Sequence, residues 1–249
     1  MKNKLYTFLF TAALLLPVLN INAAELSPIE WNHKGTTFTG FYAAGEKSKP
    51  GIVIFHQWLG VSTHEKEIAS ELNKLGYTVL AADLYGKGNI PANRDDAKKI
   101  AGTFYADREK FRSHVSEALK ALSKKSGKSS KNIYAIGYCF GGTAALELAR
   151  TGTQLAGFVS LHGGLANPAP GDDAKIKGKI LILHGAEDQS VPMTDVNLLI
   201  ESLKKQKKDF SVHIFADAVH GFTHKHDQVR YNKKADERSW KIMLDFFKE

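Results

Sequence analysis

The sequence predicts an α/β protein in which helices cover both faces of a mainly parallel sheet. Two observations carry this prediction: short apolar runs recur along the chain, and segments with apolar residues at helical spacing separate them. Nearly continuous hydrophobicity is typical of strands that are buried on both faces, and strands that alternate with helices form parallel sheets. The chain has 249 residues, 43% of them hydrophobic, which suffices for one domain with a large core. The apolar runs cover residues 51–55, 77–82, 133–137, 155–161, 180–183 and 210–215.

A hairpin precedes this series of strands and helices. Residues 29–43 alternate in polarity around a turn at His33–Gly35, which predicts two antiparallel strands. Ser62 and Glu65 then form a capping-box pattern, which marks the start of the first helix. Apolar residues at helical spacing predict this helix and three later ones. They are Ile68, Leu72 and Leu75; Phe111, Val115, Ala118 and Leu122; Met193, Val196, Ile200 and Leu203; and Trp240, Met243 and Phe247.

The composition excludes several classes of protein. A single cysteine, Cys139, rules out an intramolecular disulfide framework and a zinc site built from several thiolates. The net charge is +8, from 34 basic and 26 acidic residues, but no basic run is interleaved with aromatic residues. Lysine pairs such as Lys204–Lys205 are typical of solvated helix ends. We therefore predict that no nucleic acid is a partner of this protein.

Residues 1–23 have the pattern of a secretory signal peptide. Lys2 and Lys4 supply a positive start, and Leu5–Leu19 is an apolar stretch that only a few polar residues interrupt. This stretch is shorter than the roughly 20 residues that a membrane span needs. Small residues around Ala23 fit a cleavage site. The alternative is an N-terminal anchor that stays attached.

Cleavage of this leader would leave residues 24–249 as the mature chain. We expect this part to form a single domain, without an inserted cap domain and without stable membrane insertion. The leader predicts a periplasmic or secreted protein. A lone cysteine in an oxidising compartment has no partner within its own chain, so Cys139 is expected there as a free and reactive thiol.

The run that ends at 137 leads into a pattern typical of a catalytic nucleophile. Cys139 lies between Gly137 and Gly141, and helix-like residues follow at 143–148. A Gly-x-nucleophile-x-Gly elbow turns from strand to helix so sharply that side chains at the glycine positions would collide. The first amides of the helix favour a thiolate at the cysteine. The alternative for Cys139 is a buried, inert thiol.

An acid and a histidine follow the elbow, in the order nucleophile, acid, histidine. Asp188 lies in the loop after a predicted strand and can orient an imidazole, with Glu187 as the competing acid. His220 follows the last apolar run and can reach the cysteine as a general base. A metal cluster of His220, His224 and His226 is an alternative, although their spacing fits no compact ligand pair.

The loop after the first apolar run can supply part of an oxyanion hole. Parallel strands bring their carboxyl ends to one edge of the sheet, so this loop lies near the elbow. We predict that the backbone amides of Trp58 and Phe140 converge on the developing oxyanion. The Trp58 side chain is alternatively a core or pocket-wall aromatic. Gln57 precedes it, and its neutral amide can donate a hydrogen bond to a thiolate or to a substrate carbonyl.

Together these motifs resemble the dienelactone hydrolase family, which has the α/β-hydrolase fold. The resemblance covers nearly all of residues 50–249, and the elbow with cysteine is its specific element. It implies hydrolysis of a small ester or lactone, with Cys139 as nucleophile, His220 as base and Asp188 as the acid that orients the base. The matching segments are HQWLG at 56–60, AADLYG at 81–86, GYCFGG at 137–142, HGAEDQSVP at 184–192 and HGF at 220–222.

Three positions depart from the pattern of this family. Gln57 stands where the family usually has a glutamate, Gly221 where the dienelactone enzymes have serine, and His224 where they have arginine. An arginine that grips a carboxylate substrate is therefore missing from its usual place. Arg94 or Arg108 could replace it, or both could be ordinary residues of a helix surface.

These observations predict a secreted hydrolase that cleaves a small carboxylic ester or lactone through an acyl-enzyme intermediate. We expect no cofactor and no metal ion, and a small-molecule substrate as the partner. The short segment at 163–178 leaves no room for a cap, so an open pocket for small substrates is expected. The alternatives are a non-catalytic binding protein on the same fold, or hydrolysis of thioesters, carbon–halogen bonds or carbon–carbon bonds with the same three residues.

Overall fold

An eight-stranded sheet forms the centre of the protein in a computed structural model that describes residues 25–169 and 171–249. In chain order its strands are β1 (Ser27–His33), β2 (Thr36–Ala43), β3 (Gly51–Phe55), β4 (Thr78–Ala82), β5 (Ile133–Tyr138), β6 (Gln154–Leu161), β7 (Lys177–Gly185) and β8 (Phe210–Phe215). Their order across the sheet is β1-β2-β4-β3-β5-β6-β7-β8. Six adjacent strands are parallel to one another: β4, β3, β5, β6, β7 and β8. Strand β2 is antiparallel to both of its neighbours, β1 and β4.

Helices cover both faces of this sheet. They are α1 (Thr63–Lys74), α2 (Arg94–Ala106), α3 (Arg108–Ser126), α4 (Phe140–Arg150), α5 (Met193–Lys205) and α6 (Lys233–Phe246), and two 3₁₀ turns cover Ser130–Asn132 and Asp172–Lys175. Helices α2, α3, α4 and α5 pack on one face, and α1 and α6 pack on the other. This arrangement confirms the predicted α/β class, with a mainly parallel sheet between two helical layers.

Local sequence accounts for most of these boundaries. Both bonds of the predicted capping box form at α1: the Ser62 side chain accepts from the first turn, and Glu65 accepts from the Ser62 amide. The apolar positions of α3 are buried, as their spacing predicts. Leu75 departs from this pattern, since α1 ends at Lys74 and Leu75 is 41% exposed beyond it. The predicted hairpin turns through Lys34 and Gly35, which both have positive φ.

Two differences concern the segments around the site. Strand β8 ends at Phe215, so His220 lies on a loop beyond the strand rather than directly after it. Helix α2 was not among the helices predicted from sequence, because its apolar face is narrow and consists of Ala97, Ala101 and Phe104. Between β6 and β7, the described residues contain only the 3₁₀ turn over Asp172–Lys175.

The predicted leader, residues 1–23, lies outside the residues that the structure describes. Within the described ranges, none of the helices is long and apolar enough to cross a membrane.

Candidate active site

The turn after β5 holds Cys139 in a strained conformation at the start of α4. Cys139 has a φ of 55° and a ψ of −114°, a combination that residues other than glycine rarely adopt. Its amide donates a hydrogen bond to the Leu161 carbonyl at 3.0 Å, and its carbonyl accepts one from the Gly142 amide at 2.9 Å. These bonds tie the elbow to β6 on one side and to the first turn of α4 on the other.

Two glycines allow this elbow to form. A Cβ atom at Gly137 would lie 1.9 Å from the carbonyl oxygen of Gly141, and a Cβ atom at Gly141 would lie 2.1 Å from that of Phe55. Both distances are far below van der Waals contact, so neither position has room for a side chain. The glycines that flank the cysteine are therefore needed for the close approach of β3, β5 and α4.

A continuous chain of hydrogen bonds joins Cys139, His220 and Asp188. Nε2 of His220 lies 3.1 Å from Sγ of Cys139, and Nδ1 of His220 lies 2.8 Å from Oδ2 of Asp188. The other Asp188 oxygen accepts the backbone amides of Ser190 and Val191, each at 2.9 Å. The Asp188 carboxylate is fully buried, whereas the His220 ring is 19% exposed. The fold therefore brings together three residues that are far apart in the sequence.

Asp188 and Glu187 were alternative acids in the sequence, and the structure separates them. Asp188 contacts His220, while the Glu187 side chain is exposed and its amide donates to the Ala218 carbonyl. The Asp188 amide donates to the Gly185 carbonyl, which closes a tight turn at the end of β7. This turn directs the shorter acid inward and the longer acid to solvent.

Charge and hydrogen bonding determine the protonation of His220. Burial alone would lower the pKa of this ring, but hydrogen bonds to Asp188 and Cys139, together with their negative charges, outweigh burial and raise the pKa to about 10. At neutral pH His220 is therefore an imidazolium that lies between a carboxylate and the cysteine sulfur. The hydrogen bonds to Asp188 and Cys139 on opposite sides of the ring are the main cause of this shift.

Two side chains, those of His56 and Tyr85, hold the peptide groups of the loop after β3 in one orientation. Nε2 of His56 accepts the Leu84 amide at 3.0 Å, so Nδ1 carries the proton and donates to the Gln57 carbonyl at 2.5 Å. In a trans peptide the carbonyl and the next amide point in opposite directions, so the Trp58 N–H is turned away from His56. The Tyr85 hydroxyl donates to the Trp58 carbonyl at 2.8 Å and holds the other side of the loop.

The second predicted oxyanion amide belongs to Phe140, the first residue of α4. The first amides of a helix have no acceptor within it, so this N–H is available to a ligand beside Cys139. The Phe140 side chain is fully buried and stacks on Phe111 with ring centroids 4.7 Å apart. Its ring thus anchors the start of α4 while its amide remains at the elbow.

Gln57 contacts His224, and these are two of the positions that depart from the family pattern. Nε2 of Gln57 donates to Nε2 of His224 at 2.7 Å, and the His224 ring stacks on His64 with centroids 4.9 Å apart. Burial lowers the pKa of His224, which leaves the ring neutral and able to accept this bond. His226 instead pairs with a surface glutamate. The three histidines proposed above as an alternative metal cluster therefore have different partners, since His220 faces the cysteine.

A cavity of about 610 Å³ opens beside the Cys139 sulfur. The predicted residues Gln57, Trp58, Cys139 and His220 line it. Its remaining walls come from the elements at the same edge of the sheet. Besides the four named above, the lining residues are His64, Arg94, Tyr105, Arg108, Tyr138, Thr143, His162, Gly164, Ala166, Ser190, Val191, Asp195, Gly221, Thr223, His224 and Arg230.

Three arginines and a single acid line this cavity. Arg230 is paired with Asp227 through two of its nitrogens. Arg94 is an exposed residue at the start of α2, and Arg108 is partly buried at the start of α3. Among the described lining residues Asp195 is the one acid, and Arg108 pairs at 3.3 Å with Glu147, which is buried outside the lining.

Several residues of the site were not identified from the sequence. His162 has a φ of 40° and packs against the His220 ring at 5.3 Å, and its Nε2 lies 2.9 Å from the Thr223 hydroxyl. Tyr85 belongs to the AADLYG segment that carried the family resemblance, but its role in holding the Trp58 loop is visible only in three dimensions. Polar residues in the loops that follow predicted strands are the one sequence signal that could have indicated them, because these loops meet at the carboxyl edge of the sheet.

Comparison with known proteins matches residues 38–249 to the dienelactone hydrolase family. The chain belongs to this family. A protein of Saccharolobus solfataricus, named as a candidate carboxymethylenebutenolidase, is 31% identical over 257 aligned positions that cover 88% of this chain and 97% of the relative. The family match covers most of β2, strands β3 to β8, the elbow and the loops that line the cavity.

Solved structures of the family share the same fold. A dienelactone hydrolase-like promiscuous phosphotriesterase from metagenomic libraries superposes with a TM-score of 0.83 at 30% identity, over 90% of this chain and 98% of the other. A protein of Klebsiella pneumoniae described as a candidate dienelactone hydrolase has a TM-score of 0.77 at 18% identity, over 91% of this chain and 100% of the other. Family membership makes this protein a hydrolase of carboxylic esters or lactones.

Proposed function

We propose that this hydrolase cleaves a small ester or lactone through a Cys139–His220–Asp188 triad and an acyl-enzyme intermediate. The observation that carries the proposal is the hydrogen-bond chain from Asp188 through His220 to the sulfur at the wall of the cavity. A nucleophile, a base within hydrogen-bond reach and a third group that orients the base are the requirements for covalent catalysis of acyl transfer.

Acylation uses the charges that the resting site already carries. The Cys139 thiolate attacks the carbonyl carbon, and negative charge develops on the carbonyl oxygen. The Trp58 and Phe140 amides stabilise this oxyanion. As the tetrahedral intermediate collapses, the His220 imidazolium gives its proton to the leaving alkoxide, and the acyl group remains on sulfur as a thioester.

Deacylation reverses the role of His220. The ring is now neutral and accepts a proton from a water molecule, which attacks the thioester carbonyl. The same amides stabilise the second oxyanion, and Cys139 leaves as a thiolate while the carboxylic acid product departs. Asp188 keeps the ring in one orientation throughout and stabilises its charged form.

Trapping the acyl-enzyme tests the proposal directly. We expect p-nitrophenyl acetate to release a stoichiometric burst of nitrophenolate, and mass spectrometry of the quenched protein to find one acetyl group on Cys139. The Cys139→Ala protein should show neither the burst nor the adduct while retaining its melting temperature. Turnover by Cys139→Ala at the rate of the parent would overturn the assignment of the nucleophile.

The pKa of His220 predicts that this ring activates the thiol. His220 stays protonated from neutral pH up to about 10, and its Nε2 lies 3.1 Å from the sulfur. Iodoacetamide should therefore alkylate Cys139 more slowly in His220→Gln than in the parent at neutral pH, because the variant lacks this positive charge.

A carboxylate at position 57 should oppose this thiolate. Gln57→Glu adds negative charge to a wall of the cavity that also holds Cys139, and like charge disfavours ionisation. We expect slower alkylation near neutral pH in Gln57→Glu, with Gln57→Met as the uncharged control. Equal pH profiles for all three proteins would show that position 57 has no electrostatic influence on the sulfur.

We further propose that residues 1–23 direct export and that residues 24–249 are the mature domain. The positive start, the short apolar stretch and the small residues near the proposed cleavage site support this. Mass spectrometry of the periplasmic fraction of a bacterial expression host should find a chain that begins at Ala24 or Glu25. Recovery of the chain with Met1 intact in the membrane fraction would contradict export.

A further inference from the structure

We infer that His162 is a positioning residue for the general base, and that Thr223 is the partner through which it acts. The inference rests on the proposed function for the role of His220, but it is argued from contacts that do not involve a substrate. His162 follows β6 directly, whereas His220 and Thr223 belong to the loop after β8. The His162 ring lines the cavity and joins these two loops.

Asp188 orients the His220 ring through a single atom, Nδ1. A ring held at one atom can still tilt about it, and this motion would move Nε2 away from the reacting groups. In the resting site the bond of 3.1 Å to the Cys139 sulfur restrains the tilt. In the acyl-enzyme the sulfur carries the acyl group and that restraint is gone. Deacylation therefore requires another contact that keeps the ring in place.

The His162 side chain supplies this contact. Its ring packs edge-to-face against His220, with centroids 5.3 Å apart and planes 66° apart, and it contacts Phe222 at 5.3 Å. Nε2 of His162 lies 2.9 Å from the Thr223 hydroxyl. His162 is 4% exposed and Thr223 is 2% exposed, so water does not compete for this bond. One side chain thus touches the catalytic ring and is bonded to the same loop three residues later.

The backbone of His162 is fixed to the elbow that holds the nucleophile. The Cys139 amide donates to the carbonyl of Leu161, the residue before His162. The residue after it, Gly163, lies so close to α4 that a Cβ atom there would be 2.6 Å from the Gly142 carbonyl carbon. Between these two anchors His162 has a φ of 40°, a strained value that only a rigid surrounding maintains. The contact that restrains the base is therefore built on the frame of the nucleophile.

His162 acts as a neutral ring. Burial lowers its pKa well below the usual value, and the nearby charge of His220 lowers it further. A neutral ring can pack beside an imidazolium without repelling it. His162 therefore acts through packing and through its bond to Thr223, and a change that removes this bond while it keeps the shape isolates the effect.

The rate of deacylation tests this inference. Thr223→Val keeps the shape of the side chain and removes its hydroxyl. With p-nitrophenyl acetate, we expect the steady-state deacylation rate constant to fall by about ten- to a hundredfold, the cost of a base displaced by about 1 Å. The rate constant of the acylation burst should stay within about threefold, because the sulfur still restrains the ring during that step. Thr223→Ser keeps the hydroxyl and should restore deacylation.

His162→Phe removes the same bond from the other side and keeps an aromatic ring beside His220. We expect the same selective loss of deacylation, and no further loss when Thr223→Val is added, because two residues that act through one contact are not additive. His114→Phe is the matched control. His114 has a hydrogen bond of 2.8 Å to the Leu84 carbonyl and lies outside the cavity lining, so its loss should change neither rate constant.

A measurement without turnover distinguishes this inference from the proposed function. Cys139→Ala removes the sulfur restraint, and proton NMR then measures how fast the Nδ1 proton of His220 exchanges with water. We expect faster exchange when Thr223→Val is added, with His220→Gln identifying the resonance by its absence.

If the parent shows no acyl-enzyme burst but this exchange still becomes faster, the positioning role stands and the proposed reaction fails. Unchanged exchange in Thr223→Val, or equal losses of acylation and deacylation, would overturn the inference. Should His162→Phe not fold, the two Thr223 variants decide.

Discussion

Asp188→Asn should lower kcat/KM by about three to four orders of magnitude without unfolding the protein. An asparagine of the same size keeps the geometry, but its neutral amide neither stabilises the His220 imidazolium nor holds the ring in the required tautomer. The two backbone amides that donate to the Asp188 carboxylate can still donate to the amide oxygen, so the turn should survive. The measurement is steady-state hydrolysis of p-nitrophenyl acetate, with the melting temperature as the check on folding.

The neighbouring acid provides a matched control for this prediction. Glu187→Gln removes the same charge one residue earlier, from a side chain that is exposed. We expect its kcat/KM to stay within about twofold of the parent, because exposed substitutions away from the reacting groups have small effects. His220→Ala should lower kcat/KM by about two to four orders of magnitude, since it removes the general base. An inactive Glu187→Gln beside an active Asp188→Asn would exchange the two roles.

Gly141→Ala should destabilise the protein by about 3 kcal/mol or more, the upper end of what overpacking costs. The added Cβ would lie 2.1 Å from the Phe55 carbonyl and 2.8 Å from that of His56. Both neighbours are backbone atoms of a central strand and its following loop, so relief requires that β3 or α4 move. Chemical denaturation measures the loss, and the iodoacetamide rate reports on the elbow in whatever fraction stays folded.

Gly102→Ala is the matched control for this change. Gly102 lies in the middle of α2, where a Cβ meets nothing within 4 Å. Alanine has the higher helix propensity, so this variant should gain about 0.5–1 kcal/mol. If Gly141→Ala lowered the free energy of unfolding by no more than the size of the change in Gly102→Ala, the elbow would have more room than the distances show.

Local sequence patterns predicted most of the fold because they depend on burial and on hydrogen bonds between residues a few positions apart. The runs 51–55 and 210–215 coincide with β3 and β8, and the capping box at Ser62 begins α1 at the expected residue. A strand in the middle of the sheet must be apolar on both faces, and a helix that covers it must be apolar on one. Leu75 and α2 were exceptions. Helical spacing cannot show at which residue a helix ends, and the apolar face of α2 is too narrow to predict it.

The sequence by itself also determined the class of chemistry. The two glycines beside Cys139 are a local requirement of the elbow, and the order cysteine, acid, histidine follows from the order of the strands. Comparison with known proteins confirmed the family that these motifs indicate. Part of the constraint lies within the motif, since a Cβ atom at Gly137 would collide with Gly141, and part lies outside it, since a Cβ atom at Gly141 would collide with Phe55.

Only the tertiary structure decided which side chains meet across elements. It directed Asp188 rather than Glu187 toward His220. It also brought Gln57 into contact with His224 and paired Arg108 with Glu147. Each contact depends on how a loop turns or on how one helix packs against another. Residues that are far apart in the chain determine both. Sequence periodicity reports which face of an element is buried. It does not report which polar group lies opposite, and that choice determines the charge of the cavity.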